Sequence, residues 1–180
     1  MVIVGICGSL RAQSHNLAFL LAAQRRAGAM TFEIAPSLGV LPLFNPDLES
    51  LPDLETSPPE VVAQWRSLIG RADAVVIASP EYAHGVTGVL KNALDWLVGG
   101  PEFYQKPVAL FNASPRAVHA MASLREIVTT MSGRIVEPAC ITLPLLGGEA
   151  EAATLAEHPE SACRIDAALA ALALAALLPS

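Results

Sequence analysis

Short, unbroken apolar runs alternate along this chain with longer stretches of helical period. Residues 2–7 (VIVGIC), 74–79 (AVVIAS) and 107–112 (PVALFN) show no polar alternation. Runs of that length and character predict strands buried on both faces, the habit of a parallel sheet. A shorter strand is predicted at 31–35, and a fifth at 134–143, bent at Pro138. Helical periodicity predicts helices over 14–28, 59–71, 89–98, 117–132 and 157–178. Ser14 is placed to cap the first of these and Gly28 to stop it. Pro159 falls in the first turn of the last. Residues 36–59 hold six prolines and read as loop with at most short structured pieces, and 85–88 as a turn.

Five strands, each followed by a helix or a long loop, give an α/β/α sandwich once right-handed crossovers are imposed. No repeat and no linker interrupts the pattern, so one domain spanning 1–180 is expected. Ligands of such sheets bind beyond the C-terminal strand ends. The loops at 8–16, 80–87 and 113–119 are therefore where chemistry is expected.

Composition narrows the choice. Hydrophobic residues make up 53% of the chain and charged residues 16%, with a formal net charge of −6. No general basic field exists to draw nucleic acid or an anionic membrane. Cys7, Cys140 and Cys163 are scattered, without metal-ligand spacing, so no metal site is expected and inert thiols are. The apolar start lacks a basic segment before it, and the Ala/Leu-rich run at 165–178 is too short to span a bilayer and contains Asp166. A cytoplasmic protein without a membrane partner is expected.

The first loop reads Gly8-Ser9-Leu10-Arg11-Ala12-Gln13-Ser14-His15-Asn16 and opens a helix. A helix N-terminus offers free N–H groups and positive potential to a phosphate. Ser9 and Ser14 add hydroxyls, Arg11 a cationic fork, and Asn16 an amide. Neither GxxxxGK[ST] nor GxGxxG is present, and Gln13 occupies the position where a Cys-x5-Arg phosphatase loop beginning at Cys7 would need Arg. In the second loop, Pro80 stiffens the chain, Tyr82 offers an amphipathic aromatic wall, and the backbone around Pro80–Ala83 can bond the polar edge of a flat heterocycle.

G-S-L-R-x-x-S-x-N after the first strand, and P-E-Y followed by G-V-L-K-N-A-L-D-W at 88–96, resemble the signatures of the NADPH-dependent FMN reductase family. That resemblance implies a flavodoxin-like fold with a five-stranded parallel sheet in the order 2-1-3-4-5. It implies FMN as cofactor, with Ser9, Arg11, Ser14 and Asn16 at its phosphate and Pro80, Glu81, Tyr82 and Ala83 at its ring. It also implies NADPH or NADH as electron donor and a small-molecule acceptor: a quinone, an azo compound, a metal oxyanion or a flavin. A homodimer or homotetramer is implied as well, with Trp96 suited to the interface.

Three departures stand out. Ala83 replaces the family's usual Asn, Val86-Thr87 replaces a frequent proline, and Ser114-Pro115-Arg116-Ala117 replaces a glycine-rich segment. Ser114 could cap the next helix or bond the flavin. Arg116 could be a solvated charge, or could attract the dinucleotide or an anionic substrate. His84 reads as a solvated loop residue, or as part of a proton relay, and Glu81 as an optional proton donor. A non-enzymatic electron carrier and a flavin-free interaction protein of the same fold stand as alternatives.

Overall fold

The computed structural model describes residues 1–49, 57–145 and 151–178. Part of the proline-rich stretch expected as loop thus lies outside the described residues. Strand β1 is Val2–Cys7, followed by helix α1, His15–Arg26, and β2, Thr31–Ile34. Two 3-10 turns, Leu38–Val40 and Pro46–Leu48, lead toward α2, Glu60–Gly70. Next come β3, Ala74–Ala78, and a small antiparallel hairpin of β4, Glu81–Tyr82, and β5, Gly85–Val86. Helix α3 is Gly88–Asp95, β6 is Pro107–Asn112 and α4 is Val118–Thr130. Strands β7, Arg134–Ile135, and β8, Ile141–Thr142, precede α5, Ala152–Glu157, and α6, Pro159–Leu177.

The main sheet is parallel in the order β2-β1-β3-β6-β7, with β8 also paired to β6. This is the expected 2-1-3-4-5 order of a flavodoxin-like fold, except that the fifth strand comes as two short pieces. A 3-10 turn at Glu137–Ala139 separates them, with Pro138 inside it. Proline has no N–H for the ladder. The chain therefore leaves β6 after Ile135 and rejoins it at Ile141.

Two apolar layers explain why the strands carry no polar alternation. Ile3, Val76, Ala78 and Phe111 face α1, α5 and α6, where Phe19, Leu155, Ile165, Leu169 and Leu172 are buried with them. Val4, Ile6, Val75, Ile77 and Leu110 face α2, α3 and α4, and meet Trp65, Leu90, Trp96 and Leu124. Each such side chain, fully buried, contributes about 1.5–3 kcal/mol relative to exposure. Phe19 and Phe111 stack across the first layer with ring centroids 4.7 Å apart. Lys106 Nζ donates to the Ile69 and Ala72 carbonyls at 2.9 and 2.6 Å, closing the C-terminal end of α2. Burial there pushes the lysine's pKa down.

Trp96 corrects an expectation. It is fully buried, its Nε1 donates to the Pro42 carbonyl at 2.8 Å, and Phe44 packs edge-on against its ring. Asn92, one turn earlier, holds the same segment through Phe44 N and the Pro42 carbonyl. This face of α3 is occupied by its own proline-rich loop and offers no indole to a partner subunit. Lys91 and Asp95 pair along the helix, as their spacing suggests.

Candidate flavin-binding site

Strand register sets the floor of the site. Cys7 lies beside Ala78, Ala78 beside Phe111, and Phe111 beside Ile141. The next residues, Gly8, Ser79 and Asn112, therefore stand in a row at the C-terminal edge. Gly8 N donates to the Ala78 carbonyl at 2.8 Å. A Cβ at Gly8 would lie 2.7 Å from Ser79 Cβ, so only glycine permits this approach. Thr87, almost wholly buried, donates from Oγ1 to the Gly8 carbonyl at 2.7 Å and accepts from Leu90 N at 3.4 Å. One hydroxyl thus caps α3 and ties the first loop to the second. The place where the family often has proline carries this cross-link.

Above the floor is a cleft of about 360 Å³. Eight of the nine residues expected at a flavin line it: Ser9, Arg11, Ser14, Asn16, Pro80, Glu81, Tyr82 and Ser114. Ala83 is not among them. It sits at the hairpin tip with φ +50°, followed by His84 at +59°. Gln13, His15, Ser79, Asn112, Ala113, Arg116 and Ala117 complete the lining. Ser79 and Asn112 are not among the expected site residues; their polarity at the ends of otherwise apolar strands is the signal that marks them. His15 and Gln13 gave no signal beyond lying in the loop.

The wall made by the first loop is rich in donors. Ser14 caps α1, its Oγ accepting from Leu17 N at 3.3 Å, while Ala18 N reaches the Ser14 carbonyl. Among the described residues no protein acceptor meets the His15 and Asn16 N–H groups. Asn16 is 6% exposed, and its carboxamide oxygen is buried without a hydrogen-bond partner. Half a turn about its terminal bond presents the NH₂ group to the same place. A buried, unpartnered amide costs roughly 1–3 kcal/mol and calls for an unseen partner. Cys7 lies beneath, its Sγ donating to the Ser9 carbonyl at 3.5 Å, and burial pushes its thiol pKa up. It is a packed thiol rather than a nucleophile.

The second wall is the hairpin. Glu81 Oε2 accepts from Ala120 N at 2.8 Å, in the first turn of α4, whose own cap position is Ala117 without a capping side chain. Its other oxygen lies 3.2 Å from His84 Nδ1. The Ala120 N–H bond, with the nearby histidines, holds the Glu81 carboxyl below the usual range. It is kept ionised as a helix anchor, which does not suit a proton donor. His84 is exposed and meets His119 edge-on, with centroids 4.4 Å apart. Tyr82 is 59% exposed, a bare aromatic surface at the cleft.

The third wall is rigid in spite of lacking glycine. Asn112 Oδ1 accepts from Ser114 N at 3.0 Å, Ser114 Oγ accepts from Arg116 N at 3.3 Å, and Ala117 N reaches the Ser114 carbonyl.

A cleft with hydrogen-bond donors on the first-loop wall and an exposed aromatic surface on the hairpin fits a flat ring carrying a phosphate tail. Residues 1–144 match the family model described as NADPH-dependent FMN reductase. This chain belongs to that family. A NAD(P)H-dependent FMN reductase of Pseudomonas aeruginosa is 41% identical over 118 residues, covering 62% of this chain and 59% of that protein. A quinone reductase of Pseudomonas putida is 32% identical over 160 residues, covering 81% and 77%. Among solved structures, the FerB flavoenzyme NAD(P)H:(acceptor) oxidoreductase of Paracoccus denitrificans superposes with a TM-score of 0.73, at 22% identity over 96% of this chain and 97% of that one. That likeness establishes the shared fold. Among the described residues no helix is long and apolar enough to cross a membrane, and no cluster of three metal-ligating side chains occurs.

Proposed function

We propose that this chain is a FMN-dependent NAD(P)H oxidoreductase with a small-molecule acceptor, a quinone first among the candidates. The reading is carried by Asn16, a buried carboxamide without a partner, lining the cleft beside the open N-terminus of α1 and Arg11. Ser9, Arg11, Ser14 and Asn16 would hold the phosphate. Pro80, Glu81 and Tyr82 would border the ring, with Glu81 acting through its grip on α4. Ser114 would close the far side, and Ala83 would act only by setting the hairpin. Bound FMN would supply the two-electron redox chemistry that links the nicotinamide to the acceptor. The protein positions the ring and leaves one side open for the two substrates in turn. The whole chain would act as one cytoplasmic domain. A second copy of the chain would cover the exposed Leu10 and Val40.

The test is titration of the purified protein with FMN, followed by NADPH oxidation with a quinone. Saturable binding, weakened about tenfold or more in Arg11→Ala, together with NADPH consumption, is the expected result. Binding without NADPH oxidation would make the chain an electron carrier. Absence of binding at tens of micromolar FMN would overturn the proposal.

A further inference from the structure

Besides Tyr82, four charged or titratable side chains line the cleft: Arg11, His15, Glu81 and Arg116. Glu81 is committed to Ala120 and His84. Arg11 lies on the loop that opens α1, at the proposed phosphate position. Arg116 stands on the other side, in the β6–α4 loop, and among the described residues no carboxylate pairs with it. Four of the eight other arginines do have carboxylate partners: Arg26 with Asp166, Arg66 with Glu49, Arg71 with Glu33, and Arg125 with Glu137. In a chain of net charge −6, an unpaired guanidinium on a cleft wall is a local reversal of sign.

Its placement is also fixed. The hydrogen bonds from Ser114 N to Asn112 and from Arg116 N to Ser114 hold the backbone on both sides of Pro115. The side chain thus starts from a rigid point at the cleft edge.

We infer that Arg116 is a specificity residue, receiving an anionic group of the substrate that enters beside the flavin. The inference rests on the flavin reading above. A guanidinium gives a phosphate or sulfonate two parallel donors. Two reactants could bring such a group: the nicotinamide dinucleotide through its phosphates, or an anionic acceptor. A neutral quinone has nothing for Arg116 to hold. The residue therefore acts on capture, and is expected in KM rather than kcat.

The experiment compares the wild type with Arg116→Gln, using Arg25→Gln as the control. Arg25 is an exposed residue in the last turn of α1, outside the cleft lining, and its loss changes net charge equally. FMN affinity is measured first. Steady-state constants follow for both dinucleotides, NADPH and NADH, and for two acceptors, unsubstituted naphthoquinone and its sulfonate. In Arg116→Gln the KM for an anionic reactant should rise about tenfold, with kcat within about twofold. Neither FMN affinity nor the KM for the uncharged naphthoquinone should move. A rise confined to NADPH, or shared with NADH, assigns the dinucleotide; a rise confined to the sulfonate assigns the acceptor. Arg116→Lys should recover part of the effect, and raised salt should shrink it. Unchanged KM values for all four reactants would overturn the inference. So would a loss of FMN affinity in Arg116→Gln, which would make the residue a cofactor ligand. A wild type that binds no FMN would instead sink the functional reading, and this inference with it.

Discussion

On the proposed flavin reading, Asn16 trades stability for ligand binding. Its amide is buried at the start of α1 with an oxygen that nothing satisfies, where an apolar side chain would pack without penalty. Asn16→Ala should therefore leave the flavin-free protein as stable as the wild type, or stabilise it by about 1 kcal/mol, while weakening FMN about tenfold. Thermal melting of the flavin-free protein and flavin fluorescence titration check the two halves separately. A fall in both together would make Asn16 an ordinary structural residue. Glu81 presents a different case, because its partner is a helix rather than a ligand. Its folded pKa is depressed, chiefly by the Ala120 N–H bond. The stability it contributes is fully present above the ordinary glutamate value of about 4.3 and is lost as pH falls through the lower folded value. Melting temperature against pH should thus fall less steeply below about pH 4.3 in Glu81→Gln than in the wild type. Equal slopes would show that the carboxylate does not hold α4.

Elements differ in how plainly the sequence announces them. β1 and β6 run over the predicted residues, and β3 stops one residue short, because a strand buried on both faces must be apolar throughout. The β4–β5 hairpin reads from sequence only as a turn. Its strands are two residues long, and its tip is Ala83-His84 rather than the Asn-Gly or Asp-Gly pair that marks such a turn. Helix α5 escapes the sequence reading because it is a short segment broken from α6 at Pro159. The site is legible where a motif follows a strand directly, as at Ser9, Arg11 and Ser14. It is illegible where tertiary contact assigns the role: Trp96 is taken by Pro42, and Thr87 by Gly8. The hairpin tip leads to a stability prediction. Both Ala83 and His84 adopt left-handed φ, which costs a residue with a Cβ roughly 1–2 kcal/mol. Ala83→Gly should raise stability by about 1 kcal/mol in chemical denaturation, with the hairpin intact. A loss of stability would show that the Ala83 methyl makes a contact worth more than the strain.

At the scale of the whole molecule, three loops from distant parts of the sequence are brought to one sheet edge, and each is held by contacts that do not involve a ligand. Thr87 ties the first to the second, Glu81 ties the second to α4, and Asn112 orders the third. Such a cleft is largely preformed, so FMN should act by mass action on the folded state rather than by ordering the chain. A ligand that binds only the folded state at about one hundred times its Kd adds about 2.7 kcal/mol. For a chain of 180 residues, that corresponds to a rise in Tm of roughly 5–10 °C. The rise should grow with the logarithm of FMN concentration, while the far-ultraviolet circular dichroism of the folded protein stays unchanged on binding. Arg11→Ala should need about ten times more FMN for the same rise. A gain of helical signal on adding FMN would show instead that part of the cleft folds around its ligand. The hydrogen bonds of Thr87, Glu81 and Asn112 would then be formed by binding rather than waiting for it.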